Sequence, residues 1–353
     1  MRKESLDFLK KLLATPSPSG FEEKIQRVCK KYMEPFAGEI YKDVHGNQYH
    51  VLNKGADLRI MLAGHVDEIG LMVNTIDANG FVGFVPIGGV DSAVLGGQRV
   101  TVHGDKGAVP GVIGRKAIHL TPQEDRNKAL EMHQMWIDIG AKDKKDAEKV
   151  IGIGDPVTID VGYQELRNDM VVARALDDRV GAFVILEAVR LLAKKKINVA
   201  VYAVTTVQEE IGLRGAITSA YGCQPHAGLA VDVAWATDHP RGEGDRYGET
   251  AIGAGPIISK GPNINPVVHK GIQAAAKKAK IPLQPLAMPR GTGTDANAMQ
   301  LSRGGVATGL IGIPNRYMHT PVELVSLKDV ENASKLIATW IEGLKANTSF
   351  IPR

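Results

Sequence analysis

The chain has 353 residues, 44% of them hydrophobic and 23% charged, with a net charge of +4 from 43 Lys and Arg against 39 Asp and Glu. That length leaves room for a large core and for two domains, and the composition is that of an ordinary globular protein. Two cysteines, Cys29 and Cys223, are too few for a disulfide framework; no run of 18 apolar residues spans a membrane; and no basic stripe interleaved with aromatics suggests nucleic acid. Charges at Arg2, Lys3, Glu4 and Asp7 stand where a signal peptide needs apolar residues, so a cytoplasmic location is expected.

The N-terminal segment reads as two helices. Leu6, Leu9, Leu12 and Leu13 fall at helical spacing, and Thr15-Pro16-Ser17-Pro18-Ser19-Gly20 ends that helix. Ser19-Gly20-Phe21-Glu22 has the form of a capping box that opens a second helix through about Met33. Residues 39–53 suggest a hairpin turned near His45-Gly46-Asn47, and 58–63 a short strand that delivers His65. Residues 73–161 change texture: short apolar stretches punctuated by glycine predict an inserted β-rich small barrel or sandwich, interrupted around 122–133.

From Val171 the pattern alternates. A helix over 178–192 precedes a fully apolar strand at 199–207; a short helix at 213–220 precedes a strand at 228–233. A helix at 266–280, a strand at 306–313 and a last helix at 327–345 follow, with Lys194-Lys195-Lys196 as the solvated end of the first of these helices. This predicts an α/β domain, residues 1–72 and 162–353, with a mixed sheet covered by helices on both faces, and the insertion 73–161 as a separate β-rich domain.

Acids and histidines punctuate the ends of those strands. Asp67 follows His65 by two positions, so in an extended chain its carboxylate falls on the same side as the imidazole and could orient it. Asp177-Asp178 stands where a helix begins: as an N-cap, an acid there favours the helix dipole; as a functional group, one carboxylate could bridge two cations about 3.5–4 Å apart. Glu209-Glu210 ends the most apolar strand, at the edge of an open α/β sheet where ligands bind, with a solvated loop tip as the alternative. Asp232 interrupts the apolar run 229–233 and needs a partner. His319 lies in a polar loop, where bare sequence does not separate it from a surface histidine.

If these groups meet, they cannot all stay ionised unaided. Asp177, Glu210, Asp232 and Glu209 supply four negative charges, which two divalent cations balance. Mixed imidazole and carboxylate ligands suit Zn²⁺, Co²⁺ or Mn²⁺ better than Ca²⁺ or Mg²⁺. No HExxH, CxxC, GxSxG or GxxxxGK[ST] motif competes. Gly291-Thr292-Gly293-Thr294-Asp295 fits either an anion cradle or a plain loop with an N-cap.

Taken together, Gly64-His65-Val66-Asp67-Glu68-Ile69-Gly70, Pro86-Ile87-Gly88-Gly89-Val90-Asp91, Ala175-Leu176-Asp177-Asp178-Arg179, Thr206-Val207-Gln208-Glu209-Glu210-Ile211-Gly212 and Gly293-Thr294-Asp295 resemble the glutamyl and tetrahedral (TET) aminopeptidase family in order and spacing over nearly the whole chain. The resemblance implies a dinuclear metallopeptidase that trims short peptides. It implies His65, Asp177 and Asp232 at one metal, Asp177, Glu210 and His319 at the other, Glu209 as general base and acid acting on water, and Asp67 steadying His65. It further implies a cis Asp177–Asp178 peptide, two Zn or Co ions per subunit, and dimerisation through the insertion, with dimers building toward a hollow tetrahedral dodecamer.

Three other readings share part of this pattern. A dinuclear deacylase or carboxypeptidase would use the same ligands. An endoglucanase would need two separated acids, whereas neighbours on a strand point apart, and sugar-stacking aromatics, which make up only 5% of this chain. A non-catalytic assembly would have no reason to keep the full ligand set.

Overall fold

Along the strand Arg59–His65, successive side chains divide between two cores: Ile60 and Leu62 pack into one cluster, Met61 and Ala63 into another. That period-two split, repeated on the neighbouring strands, is what a sheet buried on both faces requires. In the computed structural model, which describes residues 1–126 and 130–352, this strand lies inside an eight-stranded mixed sheet. The sheet's order is Glu39–Lys42, Gln48–Leu52, Ala200–Thr206, Arg59–His65, Ala227–Trp235, Ala307–Asn315, Ile257–Lys260 and Gln284–Ala287. The four strands from Ala200–Thr206 to Ala307–Asn315 run parallel, so their C-terminal ends lie along one edge.

Helices Lys3–Ala14, Glu23–Met33, Leu176–Leu192, Pro266–Ala279 and Leu327–Gly343 cover the larger core; Arg214–Cys223 and Asp295–Gln300 cover the other face. The helix Leu176–Leu192 is apolar on almost every side because it lies between the sheet and the outer helices. Gly64 and Gly181 let it come that close: a Cβ on Gly64 would stand 2.6 Å from the Ala182 nitrogen.

Strands Gly70–Ile76, Val82–Ile87, Met135–Asp138, Gly107–Arg115, Arg99–Gly104 and Pro156–Ile159 close into a six-stranded barrel. Leu71, Val73, Val82, Val100, Val102, Ile113, Ile137 and Val157 fill it. Of the interruption at 122–133, residues 127–129 lie outside the described residues; the flanking parts hold 3₁₀ turns. A small sheet of Gln164–Glu165, Met170–Ala173 and Glu323–Ser326 adjoins the barrel side of the site.

The main elements follow the sequence reading to within a few residues, including the hairpin of Glu39–Lys42 with Gln48–Leu52. One local expectation fails. The capping box at Ser19–Glu22 does not form: the Ser19 hydroxyl donates to Asp67 Oδ2 at 2.6 Å, and Glu22 Oε1 accepts from the Gly20 and Gln208 nitrogens at 2.7 and 3.1 Å. Both side chains are drawn inward by stronger partners. No helix among the described residues is long and apolar enough to cross a membrane.

Candidate metal centre

His65 is the last residue of its strand, with 1% of its surface exposed, so its ring is fixed by the fold rather than by solvent. Its Nδ1 donates to the Asp67 carbonyl at 3.1 Å, with the Asp67 carboxylate at 3.4 Å. That leaves Nε2 facing the centre, buried and without a hydrogen-bond partner. Asp67 orients the imidazole chiefly through its backbone. Its carboxylate does separate work, accepting from the Glu209 and Glu210 nitrogens at 3.0 and 3.2 Å.

The two aspartates at 177 and 178 divide between the two readings of the sequence. Asp178 is the capping acid: its carboxylate accepts from the Gly181 nitrogen at 3.0 Å and from the His65 nitrogen at 3.2 Å. Asp177 turns toward the histidines, with Oδ1 3.2 Å from His65 Nε2 and Oδ2 3.4 Å from His319 Nε2. The peptide between the two aspartates is cis.

Glu209 and Glu210 stand beyond the end of their strand, which stops at Thr206. Side chains on a strand would point apart; here Gln208 has φ 56° and the chain turns, so both carboxylates face inward. Glu209 Oε2 lies 3.7 Å from His65 Nε2, and Glu210 Oε2 lies 3.7 Å from His319 Nε2. Asp232, inside the parallel strand Ala227–Trp235, completes the group. Ligand atoms of His65, Asp177 and Glu210 lie within 4.8 Å of one another, as do those of His65, Asp178 and Asp232. All seven residues singled out in the sequence therefore meet at one sheet edge.

Three supports had no role assigned from the sequence, although Glu68 and Asp295 stand in the motifs quoted above. Glu323, fully buried, accepts from the Asp177 nitrogen at 2.9 Å and the His319 nitrogen at 3.0 Å, tying the two together. Asp295 accepts from Thr206 Oγ1 at 2.6 Å, while its Oδ1 is buried and unpaired. Glu68 sits between Arg174 and the fully buried Arg179. Only the Arg-Glu pairing carries a signal in sequence, and it is a weak one. Thr294 caps the short helix after the glycine-rich loop, so the loop-and-cap alternative describes Gly291–Asp295.

The electrostatics are those of a site short of positive charge. Burial first, then neighbouring carboxylates, push Glu209 up to about 10 and Glu210 to about 8, and hold Asp178 and Asp232 well above the usual carboxylate range. Asp177 goes the other way: burial opposes its charge, but His319 and His65 outweigh that and hold it at about 2. The acids draw His319 up to about 9, its contact with Asp177 foremost. Carboxylates in this number, an unpaired imidazole nitrogen aimed among them and one aspartate reaching both histidines fit a pair of divalent cations.

Relatives share this architecture. A model of the M42 glutamyl aminopeptidase family matches residues 46–336. The chain is 37% identical over 342 residues to the lysyl aminopeptidase of Pyrococcus furiosus, spanning 96% of this chain and 97% of that one. Its fold is similar to that of a TET aminopeptidase from a marine-sediment Thaumarchaeota archaeon, with a TM-score of 0.92, 37% identity, and 97% and 98% of the two chains covered. It is also similar to the TET1 peptidase of Pyrococcus horikoshii, which can assemble into a tetrahedron or a large octahedral shell, with a TM-score of 0.86, 30% identity, and 96% and 100% covered.

Proposed function

The chain belongs to the M42 glutamyl aminopeptidase family, and from that premise we propose that it removes N-terminal residues from short peptides with Glu209 as its proton carrier. It is a peptide hydrolase of a metal-dependent family. His65, Asp177 and Asp232 would hold one divalent cation, and Asp177, Glu210 and His319 a second, with Zn²⁺ or Co²⁺ as the natural occupants. When bound, such cations polarise a scissile carbonyl and ease the deprotonation of water.

The chain's own groups do the remaining work. Glu209, outside that ligand set and with Oε2 3.7 Å from His65 Nε2, takes a proton from the attacking water and returns it to the leaving amine. Asp67 fixes Glu209 and Glu210 through their backbone nitrogens, and Glu323 fixes Asp177 relative to His319. The barrel side of the centre offers only an enclosed space of about 40 Å³ behind Glu210 and His319, whereas the opposite side opens into a cavity of about 680 Å³. Among the described residues the larger space lies on the side away from the barrel, and it is there that we place the peptide.

The observation that carries the proposal is Asp177 offering one carboxylate oxygen to each histidine, the arrangement a bridging ligand needs. We assign residues 1–72 and 162–353 to catalysis and 73–161 to assembly of dimers and larger cytoplasmic homo-oligomers, as the shells of the Pyrococcus horikoshii relative suggest. The test is hydrolysis of free and N-acetylated aminoacyl-p-nitroanilides by metal-stripped protein, before and after Zn²⁺ or Co²⁺ is added. Metal-restored activity confined to free N-termini is expected. Silence with metal bound would move the assignment to a deacylase.

A further inference from the structure

Of the spaces that the described residues line beside the centre, the cavity of about 680 Å³, unlike that of about 40 Å³, is large enough to receive a substrate side chain. Its walls come from elements that alternate in and out. Ser259 faces it from the strand Ile257–Lys260, which turns the neighbouring Lys260 away; Leu286 and Met288, two apart on the adjoining strand and just past it, face it together. Leu213, Trp235, Leu310 and Met318 complete an apolar lining. The charged lining residues are Asp177, Glu209, Glu210, Asp232 and His319, all members of the centre itself. The hydroxyls of Thr292 and Thr294 already bond each other at 2.9 Å, and Thr292 also donates to Asn297 at 3.1 Å.

Building on the proposed aminopeptidase activity, we infer that this pocket selects peptides whose N-terminal residue carries an uncharged apolar side chain of leucine or methionine size. A glutamyl side chain would enter beside Asp232 and Glu209, and the one basic side chain among the described lining residues, His319, already faces Asp177 and Glu210 within the centre. A lysyl side chain would find no carboxylate beyond those the centre engages. Either charge would be desolvated without a partner, while leucine or methionine exchanges water for Leu286, Met288 and Trp235. The selectivity thus differs from that named for the family and for the lysyl relative, although the catalytic groups are the same in kind.

The experiment compares leucyl-, methionyl-, glutamyl- and lysyl-p-nitroanilides on the metal-loaded full chain, and titrates the same protein calorimetrically with the four amino amides. Leucyl and methionyl substrates should exceed the charged pair in kcat/KM by at least about 100-fold. Met288→Arg, which adds a cation to the wall, should narrow the leucyl-to-glutamyl gap by at least about tenfold. A glutamyl or lysyl substrate equal to or better than leucyl would overturn the inference. If no p-nitroanilide is cleaved, the aminopeptidase activity itself fails. The titration then still judges the pocket: binding of leucinamide but not of the charged amides supports it, and equal binding overturns it.

Discussion

Glu22 offers a quantitative check on how the site's surroundings are charged. Its side chain is 6% exposed, and one oxygen, Oε1, accepts from both Gly20 and Gln208, the residue just before the two glutamates. Burial, with help from nearby Asp67, raises its carboxyl from 4.5 to about 7. The folded chain therefore binds this proton more tightly than the unfolded chain, by about 3 kcal/mol. A raised acid stabilises the fold below its unfolded value and loses that contribution as pH climbs through the folded one, so the loss falls between about pH 4.5 and 7. Glu22→Gln keeps an oxygen that can accept both bonds but cannot ionise. Relative to the parent, it should gain up to about 3 kcal/mol between pH 5 and pH 8, or roughly 4 °C in Tm for a chain of this length. Scanning calorimetry of both metal-stripped proteins at four pH values reads the difference, in which groups common to both cancel. A Tm offset that does not change with pH would refute the reasoning.

Four further variants address the centre and its support. Glu209→Gln should retain the metal content of the parent, measured by elemental analysis, while kcat falls by about 10²–10⁴; near-parental turnover would remove Glu209 from proton transfer. Asp177→Asn should lower the metal bound per subunit at both positions, whereas Asp232→Asn should lower it at one, a contrast that equilibrium dialysis resolves. Arg179→Met leaves buried Glu68 with Arg174 alone and should cost about 3–5 kcal/mol in chemical denaturation, far more than the loss of an exposed ion pair.

The sequence carried the scaffold well because periodicity survives in long buried elements: the strand at 199–207 and the helix after Asp178 have few apolar alternatives. It also carried most of the cluster that meets at the sheet edge, since acids at the ends of apolar strands are conspicuous, whereas His319 came only with the family resemblance. What it concealed is direction. That Asp178 caps a helix while Asp177 faces the histidines depends on the backbone between them, and adjacent identical residues give no hint of which does which. Glu209 and Glu210 share a facing only because Gln208 adopts a positive φ, which no propensity requires of glutamine. Ser19 and Glu22 matched a local capping pattern, yet buried partners from Asp67 and Gln208 outcompeted it. Glu323 gave no signal, because the bond that ties Asp177 to the His319 loop reaches across 146 positions of sequence.

Distance in sequence also explains why the barrel belongs to the site's chemistry. It is inserted between His65 and Asp177, two groups that touch, and its edge returns to the centre at Gly89, whose carbonyl accepts from His319 Nδ1 at 2.9 Å. That bond places the proton on Nδ1 and leaves Nε2, 3.4 Å from Asp177, free to ligate. His319 is 38% exposed at its side chain and sits in a loop, so the barrel contact does for it what burial does for His65. A Cβ there would crowd the ring, standing 3.0 Å from His319 Nδ1 and 3.3 Å from its Cε1. Gly89→Ala must therefore move the imidazole by a few tenths of an ångström. Loss of such an orienting contact lowers metal affinity by about 10–100-fold, and the milder displacement here should fall at the lower end. The variant should keep the parent's Tm in the metal-free state, since the atoms within 4 Å of the added Cβ belong to His319 alone, and should need about ten times more Zn²⁺ or Co²⁺ for half-maximal activity. Unchanged metal dependence would mean that the barrel stands beside the centre without shaping it.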